Sequence, residues 1–425
     1  MSAILSDSFR VESAKILRDS IVNSTPTYMF IGKSTEWPSG NTVNPSDSKV
    51  SQSDAMNDLI VGKRLGGGNV TLAVNRHDWT AGTVYAQYDV SDSTLFSTNK
   101  KFYVITNENN VYKCLGNSNG APSTAKPTGR ALTPASTPDG YIWKYMFSIS
   151  TQKADMFMTS QYIPVTNDPD ESEYQYIVKA AAVSGGIESY IVDEPGIGYT
   201  NATVTVTGDG SGATALAVLV NGSINRVLMV NPGSGYTRAH VKITGNGRGA
   251  SVRAQPAPAE GHGSNAPLEL GAHYLMMLME FSGEDSPRVP DKFSFRRVGL
   301  LMNPKNNAGA SHADFLIIGA TKAYFNTVSG FSINDTILFS DDTTGVIINI
   351  GSDVGGSFMI LSECKRFGPG TVIKRAGSAS TSATCTSVIP PDFKPNTGSV
   401  CYIENRNAIF KNELQTEIVR IIIEF

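Results

Sequence analysis

Apolar residues over positions 7–23 recur at three- and four-residue spacing: Val11, Ala14, Leu17 and Ile21 share one helical face, with Arg10, Glu12, Lys15 and Asp19 off it. The spacing predicts an amphipathic helix, and Ser6, Asp7 and Ser8 offer the N-cap oxygen it needs. Pro26 closes the helical option, after which Tyr28-Met29-Phe30-Ile31 before Gly32 predicts a short buried strand. Residues 38–55, rich in Ser, Asn, Asp and Pro, predict a surface loop, and strands are expected at 69–75, 84–88 and 102–115. A second loop is expected over 116–139 because of its prolines.

An internal repeat with a period of 37 residues follows. Pro195-Gly196-Ile197-Gly198-Tyr199-Thr200 returns as Pro232-Gly233-Ser234-Gly235-Tyr236-Thr237, and Gly208-Asp209-Gly210-Ser211-Gly212-Ala213 returns as Gly245-Asn246-Gly247-Arg248-Gly249-Ala250. Between them Val204-Thr205-Val206-Thr207 corresponds to Val241-Lys242-Ile243-Thr244. Each unit therefore predicts strand, Gly-Tyr turn, alternating strand, Gly-rich turn and strand, a compact β module.

Beyond it, apolar segments at 268–281 and 293–302 resume a core, and short strands separated by Gly, Asp and Ser clusters from 315 to 390 predict a small barrel or sandwich. Residues 418–425 read as a mostly buried final strand. The expected fold is mainly β: a multi-domain β-sandwich core with an N-terminal helix and inserted small β domains. The expected boundaries are 1–180 for the first part of the core, 181–258 for the tandem module, 259–314 for the core's continuation, 315–390 for the second insertion and 391–425 for the returning strands.

Composition narrows the function classes. The 35 Lys and Arg against 38 Asp and Glu give a formal charge of -3, which supplies no general attraction to nucleic acid. No apolar run approaches the roughly 18 residues that span a bilayer, so no membrane insertion is expected. Asp7, Arg10 and Glu12 stand where a secretory signal would be apolar. The 4 cysteines, Cys114, Cys364, Cys385 and Cys401, show no CxxC spacing and read as reduced structural thiols.

Candidate chemistry is sparse. The Gly-rich turns lack the Lys-Ser/Thr pair and strand-to-helix setting of a phosphate loop. His77, His240, His262, His273 and His312 show no paired zinc spacing, and the acids of 168–173 lack the Gly and distal Glu of a calcium loop. No GxSxG elbow anchors a triad. The expectation is therefore no catalytic residues, no metal, no cofactor and no enzyme. Aromatic residues interleave with charge in Arg76-His77-Asp78-Trp79 and Asp139-Gly140-Tyr141-Ile142-Trp143-Lys144-Tyr145, which reads either as a partner- or sugar-binding platform or as core.

These segments resemble, in order, those of the baseplate wedge subunit of T4-type contractile-tailed phages, the gene-product-eight family. The matching stretches are Ser8-Phe9-Arg10, Phe30-Ile31-Gly32-Lys33-Ser34 with Trp37-Pro38, Arg76-His77-Asp78-Trp79, Val111-Tyr112-Lys113-Cys114-Leu115, and residues 139–147 around Tyr141, Trp143 and Tyr145. Tyr402-Ile403-Glu404-Asn405-Arg406 and the ending from Gln415 complete the set. The resemblance covers roughly 8–165 and 395–425, and it leaves out both β insertions. It implies a non-enzymatic homodimer that binds other wedge proteins in the virion tail baseplate, assembled in the host cytoplasm, with Arg76, Asp78, Trp79, Tyr141, Trp143, Tyr145, Glu404, Asn405 and Arg406 as structural or partner-contact residues. Two rivals remain at this point: a host-glycan-binding, adhesin-like protein using Tyr199 and Tyr236 of the repeat, and a tail-associated hydrolase.

Overall fold

The computed structural model describes residues 4–38, 40–97, 100–282 and 285–425. With 44% of residues in strands and 12% in helices, the fold is mainly β, with an N-terminal helix and several antiparallel sheets, in keeping with the multi-domain β class expected. The chain divides into two compact units, each discontinuous in sequence: one takes the chain up to Ile16 with Thr71–Met276 and Ile422–Phe425, the other Leu17–Val70 with Met277–Ile421. The first helix runs over Asp7–Asp19 with Val11 and Ala14 buried, and the Phe9 amide donates to Ser6 Oγ at 3.3 Å. It passes into a π turn at Ser20–Ser24, just short of Pro26.

In the first unit, Tyr103–Ile105, Asn110–Asn117, Tyr141–Ser148 and Ala135–Ser136 form an antiparallel sheet in that order. The single strand expected over 102–115 is therefore a hairpin, turned with Asn109 at a φ of 57°. The strand expected over 84–88 is absent. Tyr85 and Tyr88 are buried as alternation demands, yet their segment's amides find isolated partners, Ala86 on the Lys101 carbonyl and Tyr88 on that of Cys114. Burial alone does not make a ladder.

Beneath this sheet lies a cluster of buried charge. Lys113 and Glu269 form an ion pair, their side chains 0% and 1% exposed. Lys113 also reaches His262 Nδ1 at 2.7 Å and sits 4.6 Å from the centre of the Tyr88 ring. Glu269 Oε1 accepts the Gly263 and Asn265 amides at 2.8 and 3.2 Å. Burial opposes this carboxylate's charge, but Lys113, His262 and the donors around it hold its pKa down at about 2. Burial lowers the Lys113 pKa against the pull of Glu269, and burial beside Lys113 keeps His262 neutral down to about 4.

The tandem module lies in the same unit. Its first repeat forms Ile187–Ile197, Ala202–Gly208 and Ser211–Val220, its second Ser223–Ser234, Ala239–Gly245 and Arg248–Pro256. The first strand of each repeat pairs with the last strand of the other, and the two middle strands pair together. Thr205 stands opposite Lys242, its own counterpart, so a pseudo-twofold axis passes through that pair. The bulge between Thr214 and Ala215 recurs between Ser251 and Val252. Neither repeat can close the core alone, because each supplies strands whose partners belong to the other.

The second unit is built on a five-stranded antiparallel sheet in the order Leu316–Ile318, Leu59–Arg64, Thr27–Gly32, Phe293–Met302, Ser399–Lys411. Tyr28, Phe30, Leu59, Leu301, Ile317 and Val400 pack with Ala55, Met56 and Phe393. Ala55 and Met56 come from a helix, Lys49–Asn57, that begins inside the stretch 38–55 expected to be loop and runs two residues past it. Ser48 starts it by accepting the Ser51 amide at 3.1 Å, so a Ser-rich segment that reads as loop contains a capped helix. Thr321–Phe325, Gly356–Ser362, Thr344–Asp353, Thr336–Leu338, Val372–Arg375 and Ser382–Ile389 form a closed barrel around Phe325, Ile337, Ile347, Met359, Leu361 and Ile373.

Candidate functional site

The strand Thr27–Gly32 ends at a bulge, where the register with Leu59–Arg64 shifts between Ile31 and Gly32. A Cβ at Gly32 would lie 2.4 Å from the Asp58 carbonyl oxygen, so only glycine permits this approach. Lys33 then adopts a φ of 61° and donates its amide to that same carbonyl at 2.9 Å. These two residues turn the chain and aim Lys33 at Glu363: Nζ to Oε2 is 2.7 Å, and the Thr35 amide reaches Oε1 at 3.1 Å. Burial works to raise the Glu363 pKa, but Lys33 and Thr35 hold it below the usual carboxylate range.

Asp58 caps the C-terminal end of Lys49–Asn57, its amide on the Asp54 carbonyl at 2.9 Å. Its Oδ2 accepts from Arg297 Nη1 at 2.7 Å, and Arg297 Nε donates to Asn405 Oδ1 at 2.9 Å. The guanidinium lies 5.4 Å from the centre of the Trp37 ring, and Trp37 Nε1 donates to the Arg406 carbonyl at 2.9 Å. Asn405 Nδ2 donates to the Val43 carbonyl at 2.7 Å. Together Lys33, Trp37, Asp54, Asp58, Arg297, Glu363 and Asn405 line a cleft of about 430 Å³, within the size range of small-ligand sites. Burial dominates Asp58 and pushes its pKa up to about 8 against the opposing charge of Arg297. Asp58 Oδ1 is buried and accepts no hydrogen bond.

Of the residues singled out in the sequence, Asn405 lines this cleft, and Arg406 meets it only through its carbonyl, which accepts from Trp37. Glu404 bridges Arg406 Nε at 2.7 Å and accepts the Tyr402 hydroxyl at 2.8 Å beside it. The others lie elsewhere. Arg76 pairs with Asp78 at 3.0 Å and donates to the Thr159 carbonyl, and Trp79 Nε1 donates to Ser123 Oγ at 3.2 Å. Burial works to raise the Asp139 pKa, but the Thr137 hydroxyl, the Ala125 and Thr124 amides and the Ser123 hydroxyl donate to it and hold it at about 2. Tyr141, Trp143 and Tyr145 are core residues: Tyr141 and Trp143 stack with ring centres 5.5 Å apart, and Tyr145 meets Tyr112 edge-on at 5.7 Å. Tyr199 and Tyr236 are 5% and 4% exposed and pack on the Gly turn of the opposite repeat. A Cβ on Gly247 would come within 2.3 Å of Tyr199 Cγ, and one on Gly210 within 2.5 Å of Tyr236 Cγ. These ring faces are taken up by backbone.

Asp58, Arg297 and Glu363 escape the sequence reading. Arg297 nevertheless carried a signal, since it continues the inward phase of Phe293 and Phe295 along one strand. Among the described residues no group of three or more His, Cys, Asp and Glu side chains could hold a metal ion. No helix among them is long and apolar enough to cross a membrane. No protein-family model matches the chain, and a search of curated proteins finds no match.

Proposed function

We propose that the chain is a non-enzymatic baseplate wedge subunit of a contractile phage tail, which pairs as a homodimer and links neighbouring wedge proteins. The observation that carries this reading is the meeting of two segments on which the resemblance rests: Trp37, next to Pro38, and Arg406 are joined by a hydrogen bond of 2.9 Å across 369 positions of chain. Segments that match one family in order have reason to share a contact if they share that family's fold. An exposed apolar ridge supports a surface kept for neighbours: Phe9 and Ile16 on the first helix are 59% and 69% exposed.

Quantitative mass spectrometry of purified tails from the phage that encodes the chain tests the reading. A copy number commensurate with sixfold symmetry, and even per wedge, is expected. Absence from the particle, or a substoichiometric count, refutes it.

A further inference from the structure

We propose that the cleft between Trp37, Asp58 and Asn405 is a binding site for a small organic cation that carries N–H donors, a guanidinium or a primary ammonium. This inference is independent of the wedge reading and rests on the cleft alone.

The ionisable groups on its walls are Lys33, Arg297, Asp54, Asp58 and Glu363. Lys33 is spent on Glu363 and Arg297 on Asp58 Oδ2, each at 2.7 Å, which leaves Asp54 and Asp58 Oδ1 without an ion-pair partner among the described residues. Asp58 Oδ1 is the acceptor left over: the residue is 5% exposed, and this oxygen is without a partner. An unmade hydrogen bond at a buried carboxylate is costly, so a donor that reaches it gains more than one meeting solvated oxygen. Asp54, exposed at the mouth, adds attraction of the same sign. The rest of the lining is mixed: Asn44, Ser51 and Asn57 are polar, while Trp37, Pro38, Val43, Pro45 and Ile403 offer apolar surface for the short stem of an alkylguanidinium or alkylammonium.

Protonation of Asp58 competes with such a ligand. The groups that act on it are Arg297 and Lys33, which favour the ionised form, and Glu363 and Asp54, which oppose it, with burial the largest influence and the pKa near 8. A cation therefore binds the deprotonated site, and its affinity rises with pH. The ionised fraction grows about tenfold between pH 7 and pH 9 for a group that titrates midway. A ligand offering an acceptor, such as a carboxylate, would show the opposite trend.

The test is calorimetric titration of the full chain with methylguanidinium, n-propylammonium, tetramethylammonium and acetate at pH 7 and pH 9. The two N–H donors are expected to bind saturably, about tenfold more tightly at pH 9. Tetramethylammonium, which has the charge without the donors, is expected to bind at least about tenfold more weakly than either, in line with a charged hydrogen bond. Asp58→Asn is expected to remove the pH dependence, and Asp54→Asn to leave it. If Asp58→Asn fails to fold, the wild-type pH trend and the tetramethylammonium comparison decide alone. No saturation by either donor, equal binding of tetramethylammonium, or stronger binding of acetate towards low pH overturns the proposal. A Gly-Gly-Arg-Gly-Gly peptide that binds more tightly than methylguanidinium assigns the ligand to a side chain presented by a protein, and equal binding assigns it to a free cation.

Discussion

Glu269→Gln removes one charge from the buried cluster of the first unit while keeping its shape. Lys113, fully buried, would be left with His262 Nδ1 and the Tyr88 ring in place of its carboxylate. Breaking a buried pair from one side costs about 3–5 kcal/mol, because the remaining charge loses its carboxylate and gains no water in exchange. For a unit of this size that corresponds to a fall in Tm of roughly 6–20 °C. Lys113→Met should cost less, about 2–3 kcal/mol, since Glu269 keeps the amides of Gly263 and Asn265. The double replacement Lys113→Met with Glu269→Gln removes both charges while the Gln carbonyl oxygen still accepts the two amides, so its loss should fall well below the sum of the single losses, within about 2 kcal/mol of wild type. Denaturant melts of the four proteins give the cycle. The pH dependence gives a second readout. Because the Glu269 pKa is lowered to about 2 in the fold, its stabilisation is complete above its unfolded value near 4.5 and is lost as pH falls towards 2. His262, neutral down to about 4, adds to the acid-side loss because the unfolded chain takes up its proton first, near 6.5. Glu269→Gln should flatten the profile between 4.5 and 2. Strict additivity in the cycle, or a Glu269→Gln loss below about 1 kcal/mol, refutes the argument that the pair is desolvated and interdependent.

Three further outcomes follow from geometry already given. Gly210→Ala and Gly247→Ala each drive a methyl into a tyrosine ring, so each should destabilise the chain by at least about 1–3 kcal/mol, and by similar amounts, in chemical denaturation; a large inequality would refute the pseudo-twofold equivalence of the two seams. Asp58, with its pKa raised to about 8, makes a contribution that is fully present below its unfolded value near 3.8 and lost as pH rises through 8. Asp58→Asn should remove that slope, which runs between about 3.8 and 8, from a Tm-against-pH series, and an unchanged slope would refute the assignment. Tyr199→Phe and Tyr236→Phe should cost at most about 1.5 kcal/mol in the same melts, because packing on Gly247 and Gly210 holds the rings while the hydroxyls add at most one hydrogen bond each; a larger loss would move the weight from packing to the hydroxyl.

How much of this was legible depends on how far a residue's partners lie along the chain. The strands and turns of the repeat were legible because their signals are local: alternating Val and Thr set the strand phase, and Gly and Asp or Asn set the turns, while the crosswise pairing of the two repeats was not. The reciprocal caps appear only in the structure, with Asp209 accepting the Thr237 and Arg238 amides and Asn246 those of Thr200 and Asn201. The first helix was legible because its signals are local too. The helix Lys49–Asn57 was not, because Ser51 and Ser53 lower its propensity and its stability comes from Ala55 and Met56 docking on the sheet. The division into two units could not be read at all, since each unit is drawn from separate stretches and no composition shift marks Val70 or Met277. The cleft falls between these cases. Asn405 and Trp37 stood in segments worth singling out, but Asp58 and Glu363 read as surface acids until the bulge at Gly32 and the turn at Lys33 bring them under cover. Arg297 is the instructive residue. A charge in phase with Phe293 and Phe295 faces inward by periodicity, so it demands a buried carboxylate somewhere in the fold. That demand is stated by the sequence, and only the antiparallel pairing that sets Arg297 opposite Asn405 and within reach of Asp58 says where it is met.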